Sequence, residues 1–263
     1  MRIGFFGAGN MVEAIALGIF SKDLGHSLYF YTPSKTKAIN LASKTNGKFI
    51  ENIEDMPRDL DWYVLGFKPF QLNDFHFNFN SNAKIISLLA STPVKVIADK
   101  FSLDKILRVM PNTPTKVYQG MNLLFFSSAI ESSIQNEVIN VFQSIGELQI
   151  VERESDIDIL TPFTGSGPGI FFELLSYFEK SIPADVASKY DTKKLLAQTM
   201  LCSAKLALES RESFNSLRDQ VTSKKGVTIE AINELRDSKM DTIIKNSMDR
   251  ALKRLNEMKE ESK

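Results

Sequence analysis

Cysteine and histidine are scarce in this chain of 263 residues: Cys202 stands alone, and the two histidines, His26 and His76, lie far apart. A single cysteine excludes an intrachain disulfide and a cysteine-ligated metal site. A histidine-based metal centre or a Ser-His-Asp triad would have to draw on those two histidines, so no metal is expected. Cys202 falls among apolar residues in a helical run, which predicts a buried structural thiol. Charge of one sign is lacking too, since the formal net charge is +0. No basic stripe marks a nucleic-acid partner. Long apolar runs are missing: nothing approaches the ~20 residues of a membrane span. The opening Met1-Arg2-Ile3-Gly4-Phe5-Phe6 is not a charged segment followed by a leader-like apolar stretch. These absences predict a cytoplasmic chain with no membrane partner. What is present is ordinary for a globular protein, with 43% hydrophobic and 24% charged residues, enough core for one large or two smaller domains.

Short apolar runs recur through the first half, at residues 3–6, 27–31, 49–50, 62–67, 84–89, 106–110 and 121–126. Helix-length segments separate many of them. Near-continuous apolar strands in that arrangement predict a parallel sheet covered on both faces. Thr32-Pro33 predicts a helix start, with Thr32 as the N-cap. Phe75-His76-Phe77-Asn78-Phe79 reads as a loop anchored by packing, with His76 at the surface. The pattern changes near residue 155. Leu196, Met200, Ala204 and Leu208 share one helical face, and Ile244, Met248, Ala251 and Leu255 share another. The expectation is an α/β dinucleotide-binding domain of Rossmann type over residues 1–154, followed by an all-α domain over 155–263. Its charged end, Lys259 to Lys263, is expected to fray.

Gly7-Ala8-Gly9-Asn10-Met11 follows the first strand and opens a helix. A tight turn, close backbone approach and free N–H groups at a helix N-terminus suit a pyrophosphate. The third glycine of the common fingerprint would fall at Val12. A Gly-rich turn without a ligand is the alternative. Beyond the second strand, Tyr31-Thr32-Pro33-Ser34-Lys35-Thr36-Lys37 contains no acid to hold a free ribose. Two hydroxyls and a lysine there suit a 2′-phosphate, which favours NADP over NAD, or the segment is a plain solvated helix start.

Five segments together resemble the pyrroline-5-carboxylate reductase family. They are Gly7 to Met11, Phe67-Lys68-Pro69, Arg108-Val109-Met110-Pro111-Asn112-Thr113-Pro114, Thr164-Gly165-Ser166-Gly167-Pro168, and Leu217-Arg218-Asp219-Gln220-Val221-Thr222-Ser223. The likeness spans essentially the whole chain in order. It implies hydride transfer from NAD(P)H to the C=N bond of Δ1-pyrroline-5-carboxylate; the residues after the second strand make NADPH the preferred cofactor, with NADH possible. It also implies a homodimer formed by the helical domain, with further assembly in some members. Carried onto this sequence, Gly7, Gly9, Asn10 and Met11 hold the pyrophosphate, and Thr32, Ser34 and Lys35 lie at the adenosine ribose. Asn52 matches an adenosine-contacting Asn, one residue off in its spacing to Lys68. Lys68 and Asn112 lie near the nicotinamide half. Ser223, Gly226, Val227 and Thr228 match the loop for the substrate carboxylate and ring nitrogen. Thr228 is the hydroxyl placed at the reacting group, or else an ordinary helix cap.

Two stretches depart from the family pattern. The substrate loop, commonly Ser-Pro-Gly-Gly-Thr-Thr, is Ser223-Lys224-Lys225-Gly226-Val227-Thr228 here. After the fifth strand, Ala-Ala-Gly becomes Leu89-Ala90-Ser91. Lys225 would be strained if the glycine it replaces has positive φ. These departures leave open a paralogue acting on another cyclic imine or small carboxylate-bearing substrate, or a non-catalytic NAD(P)-binding protein.

Overall fold

The computed structural model describes residues 1–22 and 25–261. The chain forms two compact units, one of Met1–Pro168 with the stretch from Ala251 onward, the other Gly169–Arg250. The first unit runs β1 (Arg2–Phe6), α1 (Asn10–Ser21), β2 (Ser27–Tyr31), α2 (Lys35–Lys44), β3 (Lys48–Phe49), β4 (Trp62–Leu65), β5 (Ile85–Ser87), α3 (Val94–Phe101), β6 (Ile106–Met110), β7 (Gly120–Phe126), α4 (Ser132–Gln143), β8 (Gly146–Ile150) and α5 (Glu154–Thr164). One sheet takes the order β3-β2-β1-β4-β5-β6-β7-β8. The order reverses at β1, the switch point at whose carboxyl edge open α/β sheets bind ligands.

Residue alternation explains why both faces are covered. On β1, Ile3 and Phe5 point into a cluster with Ile15, Phe30, Trp62 and Phe142, while Phe6 joins Tyr63, Leu65, Ile85 and Ile97 on the opposite face. Phe75, Phe77 and Phe79 pack around Phe6 and Phe101, with ring centroids 4.9 Å apart for Phe6–Phe75 and 5.0 Å for Phe79–Phe101. The loop that carries them is anchored as expected, and His76 is exposed.

Two features differ from the expectation of a purely parallel sheet. β7 runs antiparallel to β6. Only a 3-10 segment, Thr113–Val117, joins them, too short for the crossover that parallel strands need. β8 extends the sheet beyond β7. Its sequence, Gly-Glu-Leu-Gln-Ile, is largely exposed along this edge, so it carries no apolar run to announce it. The start of α2 also shifts: Ser34, not Thr32, is the N-cap residue.

From residue 155 onward no strand occurs among the described residues. The helices are α6 (Gly167–Ser181), α7 (Ala184–Ala187), α8 (Thr192–Glu209), α9 (Phe214–Gln220), α10 (Val227–Asp237) and α11 (Met240–Glu261). α8 starts where the Asp191 carboxylate accepts the Lys194 N–H at 2.9 Å, and good helix formers such as Leu, Ala, Gln and Met carry it on. Much of its apolar surface is uncovered in the single chain. Leu195, Leu201, Leu206 and Leu208 are all more than half exposed. Cys202 is exposed as well, contrary to the expectation of a buried thiol, because α8 has so little cover within this unit. Of the end expected to fray, the described part is ordered helix: α11 continues to Glu261, and Lys259 pairs with Asp158 at 2.6 Å. Ser262 and Lys263 lie outside the described residues. Among the described residues, no helix is long and apolar enough to cross a membrane.

Candidate dinucleotide site and substrate loop

Gly7 adopts φ +112, and a Cβ there would sit 2.7 Å from the Gly66 carbonyl group. Only glycine fits this turn. Its N–H donates to the Tyr31 carbonyl at 2.8 Å, and the Gly66 N–H donates to the Phe6 carbonyl at 2.8 Å. The exits of β1, β2 and β4 are thereby held side by side. Gly9 is different: its φ is −77, and a Cβ would meet no protein atom within 4 Å. The fold itself does not need glycine there. A ligand lying against the backbone of this turn would need it. Gly9 caps α1 without any side-chain cap bond, which leaves the first N–H groups and the positive end of the helix dipole for an anion. These residues fit a pyrophosphate.

Val12 stands where the third glycine is common, and it is fully buried. The close approach of helix and strand is kept from the other side. A Cβ on Gly66 would fall 2.1 Å from a Val12 methyl, so the missing side chain has moved from α1 to the end of β4.

At the β2 exit, Thr32 is half-buried and Ser34 and Lys35 are exposed. Lys35 Nζ lies 2.7 Å from Glu51 Oε1. The segment after β2 contains no acid, but β3 delivers one beside it. Asn52 donates its side-chain amide to Asp55 at 3.0 Å.

Lys68 follows β4 and is exposed, its N–H bonded to Gln71 Oε1 at 2.9 Å. Asn112 is buried, and both ends of its amide are engaged. Its Nδ2 donates to the Thr164 carbonyl at 3.1 Å, and its Oδ1 accepts the Met121 N–H at 2.9 Å. The Met110–Pro114 and Thr164–Pro168 segments are thus joined by one side chain. Ser91 holds φ +57, a left-handed conformation that suits glycine. The hydroxyl is buried and has no hydrogen-bond partner among the described residues. This explains the glycine expected at that position and makes Ser91 a strained replacement.

In the second unit, Ser223 to Gly226 form the turn before α10, closed by the Gly226 N–H on the Ser223 carbonyl at 3.0 Å. Gly226 is the N-cap and has no side-chain cap bond. A Cβ on Gly226 would lie 2.3 Å from Ser223 Oγ, so this glycine lets the turn close. Lys225 is absent from the positive-φ residues, and its substitution carries no strain of that kind. Thr228 is the second residue of α10, not its cap. It is exposed, and among the described residues its hydroxyl has no hydrogen-bond partner.

The fold and the turn define the class: a Rossmann-type dinucleotide-binding protein with a helical C-terminal segment. Residues 154–258 match the model described as pyrroline-5-carboxylate reductase dimerisation, and residues 2–91 match the one described as NADP oxidoreductase coenzyme F420-dependent. A pyrroline-5-carboxylate reductase of Staphylococcus haemolyticus is 28% identical over 97% of this chain and 96% of its own length. The structure of the Coxiella burnetii enzyme superposes with a TM-score of 0.85 at 25% identity, covering 97% of each chain. The Plasmodium falciparum reductase, solved with NADP bound, has the same fold: TM-score 0.80, 23% identity, 98% of each chain covered. Over nearly its whole length the chain is similar to pyrroline-5-carboxylate reductases, and its C-terminal part matches the model of their dimerisation domain.

Proposed function

We propose that this protein reduces the C=N bond of Δ1-pyrroline-5-carboxylate with NADPH, giving L-proline. The observation that carries the proposal is the glycine turn at the head of α1, where Gly9 leaves open space against the backbone, in a chain alike end to end to reductases of this name. A bound reduced nicotinamide supplies the hydride. The protein's part is to bind, orient and polarise. Gly7, Gly9, Asn10 and Met11 hold the pyrophosphate by backbone N–H groups. Thr32, Ser34 and Lys35 take the phosphorylated ribose, with Asn52 at the adenosine. Lys68 and Asn112 serve the nicotinamide half; Asn112 does so mainly by fixing the segments around it, because its amide is already engaged.

The substrate is a small anion with a polar ring nitrogen. Backbone donors at the start of α10, around Gly226 and Val227, suit its carboxylate, and Ser223 adds a hydroxyl. Thr228, whose hydroxyl is uncommitted, bonds the ring nitrogen and steadies it as the adjacent carbon receives hydride. Residues 155–263 form the substrate-holding and pairing domain. Two copies cover each other's exposed helical faces, which would otherwise leave Leu195, Leu201 and Leu208 in water.

The test is direct. Purified protein is mixed with Δ1-pyrroline-5-carboxylate and either NADPH or NADH, and proline formation is followed with cofactor oxidation. Stoichiometric proline is expected, with the larger kcat/KM for NADPH. No turnover by folded protein that binds NADPH would overturn the proposal.

A further inference from the structure

Glu51 stands out at the cofactor end of the first unit, because the sequence around β2 shows no acid and the fold supplies one. β2 and β3 pair in register, Phe30 opposite Phe49, and the Ile50 N–H donates to the Phe30 carbonyl at 2.9 Å. The chain leaving β3 therefore runs beside the chain leaving β2. Glu51 meets Lys35 there at 2.7 Å. The Gly7 bond to the Tyr31 carbonyl, at 2.8 Å, ties this corner to the glycine turn. Both side chains are more than half exposed. Such a pair is weak and exchanges partners readily.

We propose that Glu51 is a selectivity residue that narrows the preference for the 2′-phosphorylated cofactor. The inference rests on the dinucleotide reading above. Lys35 is the cation nearest to hand for a 2′-phosphate, and Glu51 already holds it. A phosphate must draw Lys35 away, and it then lies close to an uncompensated carboxylate. The bond to a phosphate is charge-assisted and outcompetes an exposed ion pair, while like-charge repulsion from Glu51 reduces the gain. With an unphosphorylated ribose the same carboxylate accepts hydroxyl hydrogens, the part an acid at the end of the second strand plays in NAD-binding folds. One ion pair thus serves two ligands: Lys35 reads the phosphate, and Glu51 reads its absence.

Binding, not turnover, tests this, with titration calorimetry of the full-length protein. The probes are NADPH, NADH, and the adenosine fragments 2′,5′-ADP and 5′-AMP. In Glu51→Gln, affinity for NADPH and 2′,5′-ADP should rise about fivefold, while NADH and 5′-AMP bind about twofold more weakly. In Lys35→Gln, the 2′-phosphorylated ligands should lose about tenfold and 5′-AMP should hardly change. An unchanged Kd for 2′,5′-ADP in Glu51→Gln overturns the selectivity role while leaving the dinucleotide site intact. Equal losses for both fragments in Lys35→Gln show that Lys35 does not read the phosphate, and also overturn it. If the wild-type protein binds neither NADPH nor NADH, the dinucleotide reading falls and this inference with it. Both side chains are exposed, so melting temperatures near the wild-type value are expected and verify that the variants are folded.

Discussion

Arg108 on β6 and Asp158 on α5 meet at 2.7 Å, and both are buried. Glu154 takes the other side of the guanidinium at 3.0 Å and also accepts the Val94 N–H at the head of α3. Lys259 of α11 closes on the second Asp158 oxygen at 2.6 Å. One network joins four elements of the first unit. Removing one partner of a buried pair strands the other charge, a loss of about 3–5 kcal/mol. Asp158→Ala is therefore expected to lower the urea midpoint strongly, by about 3 kcal/mol of stability. Glu154→Gln, at a more exposed position, should cost much less. Equal and small effects for both would show that the network is not holding these elements.

Gly9→Val places a branched side chain where we propose that the pyrophosphate binds. The fold has room for it, since no protein atom lies within 4 Å of a Cβ at Gly9. The variant is expected to melt like the wild type and to lose NADPH binding by more than about a hundredfold, or ~2.7 kcal/mol. Calorimetric titration checks this. Retained affinity would move the cofactor elsewhere.

Ser91→Gly should stabilise the protein. It relieves a left-handed φ of +57 and removes a buried hydroxyl that has no partner among the described residues. Those gains exceed the added freedom of glycine in the unfolded chain, for a net of about 1 kcal/mol. Differential scanning calorimetry should register a rise of about 3 °C. A fall in Tm would mean that the hydroxyl contributes a contact of its own.

The His26 imidazole is held below its ordinary value, first by burial and then by the positive N-terminus, with Asp61 pulling the other way. The Met1 ammonium lies 3.0 Å from its Nδ1. A depressed folded value means that the unfolded chain takes up the proton first as pH falls. The contribution of His26 is then complete above pH ~6.5 and is lost as pH drops toward the folded value. Urea denaturation at pH 7 and pH 5 should show a smaller acid loss for His26→Gln than for the wild type. Parallel losses would assign the acid sensitivity to other groups.

Thr228→Ala tests the substrate loop. With the hydroxyl exposed at the second position of α10, its removal should leave helix stability nearly unchanged. If it bonds the ring nitrogen more strongly in the transition state than in the ground state, kcat falls by about tenfold, or ~1.4 kcal/mol, and NADPH affinity holds. Wild-type kcat in the folded variant would remove Thr228 from the chemistry.

The α/β-then-α order, most strands and the glycine turn were legible along the chain because each depends on neighbouring residues. A buried strand of a covered sheet is a local apolar run, and a phosphate turn is two glycines between a strand and a helix. What could not be read there depends on residues brought together from afar. Gly66 answers Val12 across 54 positions only because β4 lies beside β1. The acid missing after β2 arrives as Glu51 because β3 pairs with β2. β8 carries no apolar run, since an edge strand can face water. Cys202 read as buried because its neighbours are apolar, yet an apolar helix face is buried only when something lies against it. That depends on packing between elements, and no periodicity within α8 records it.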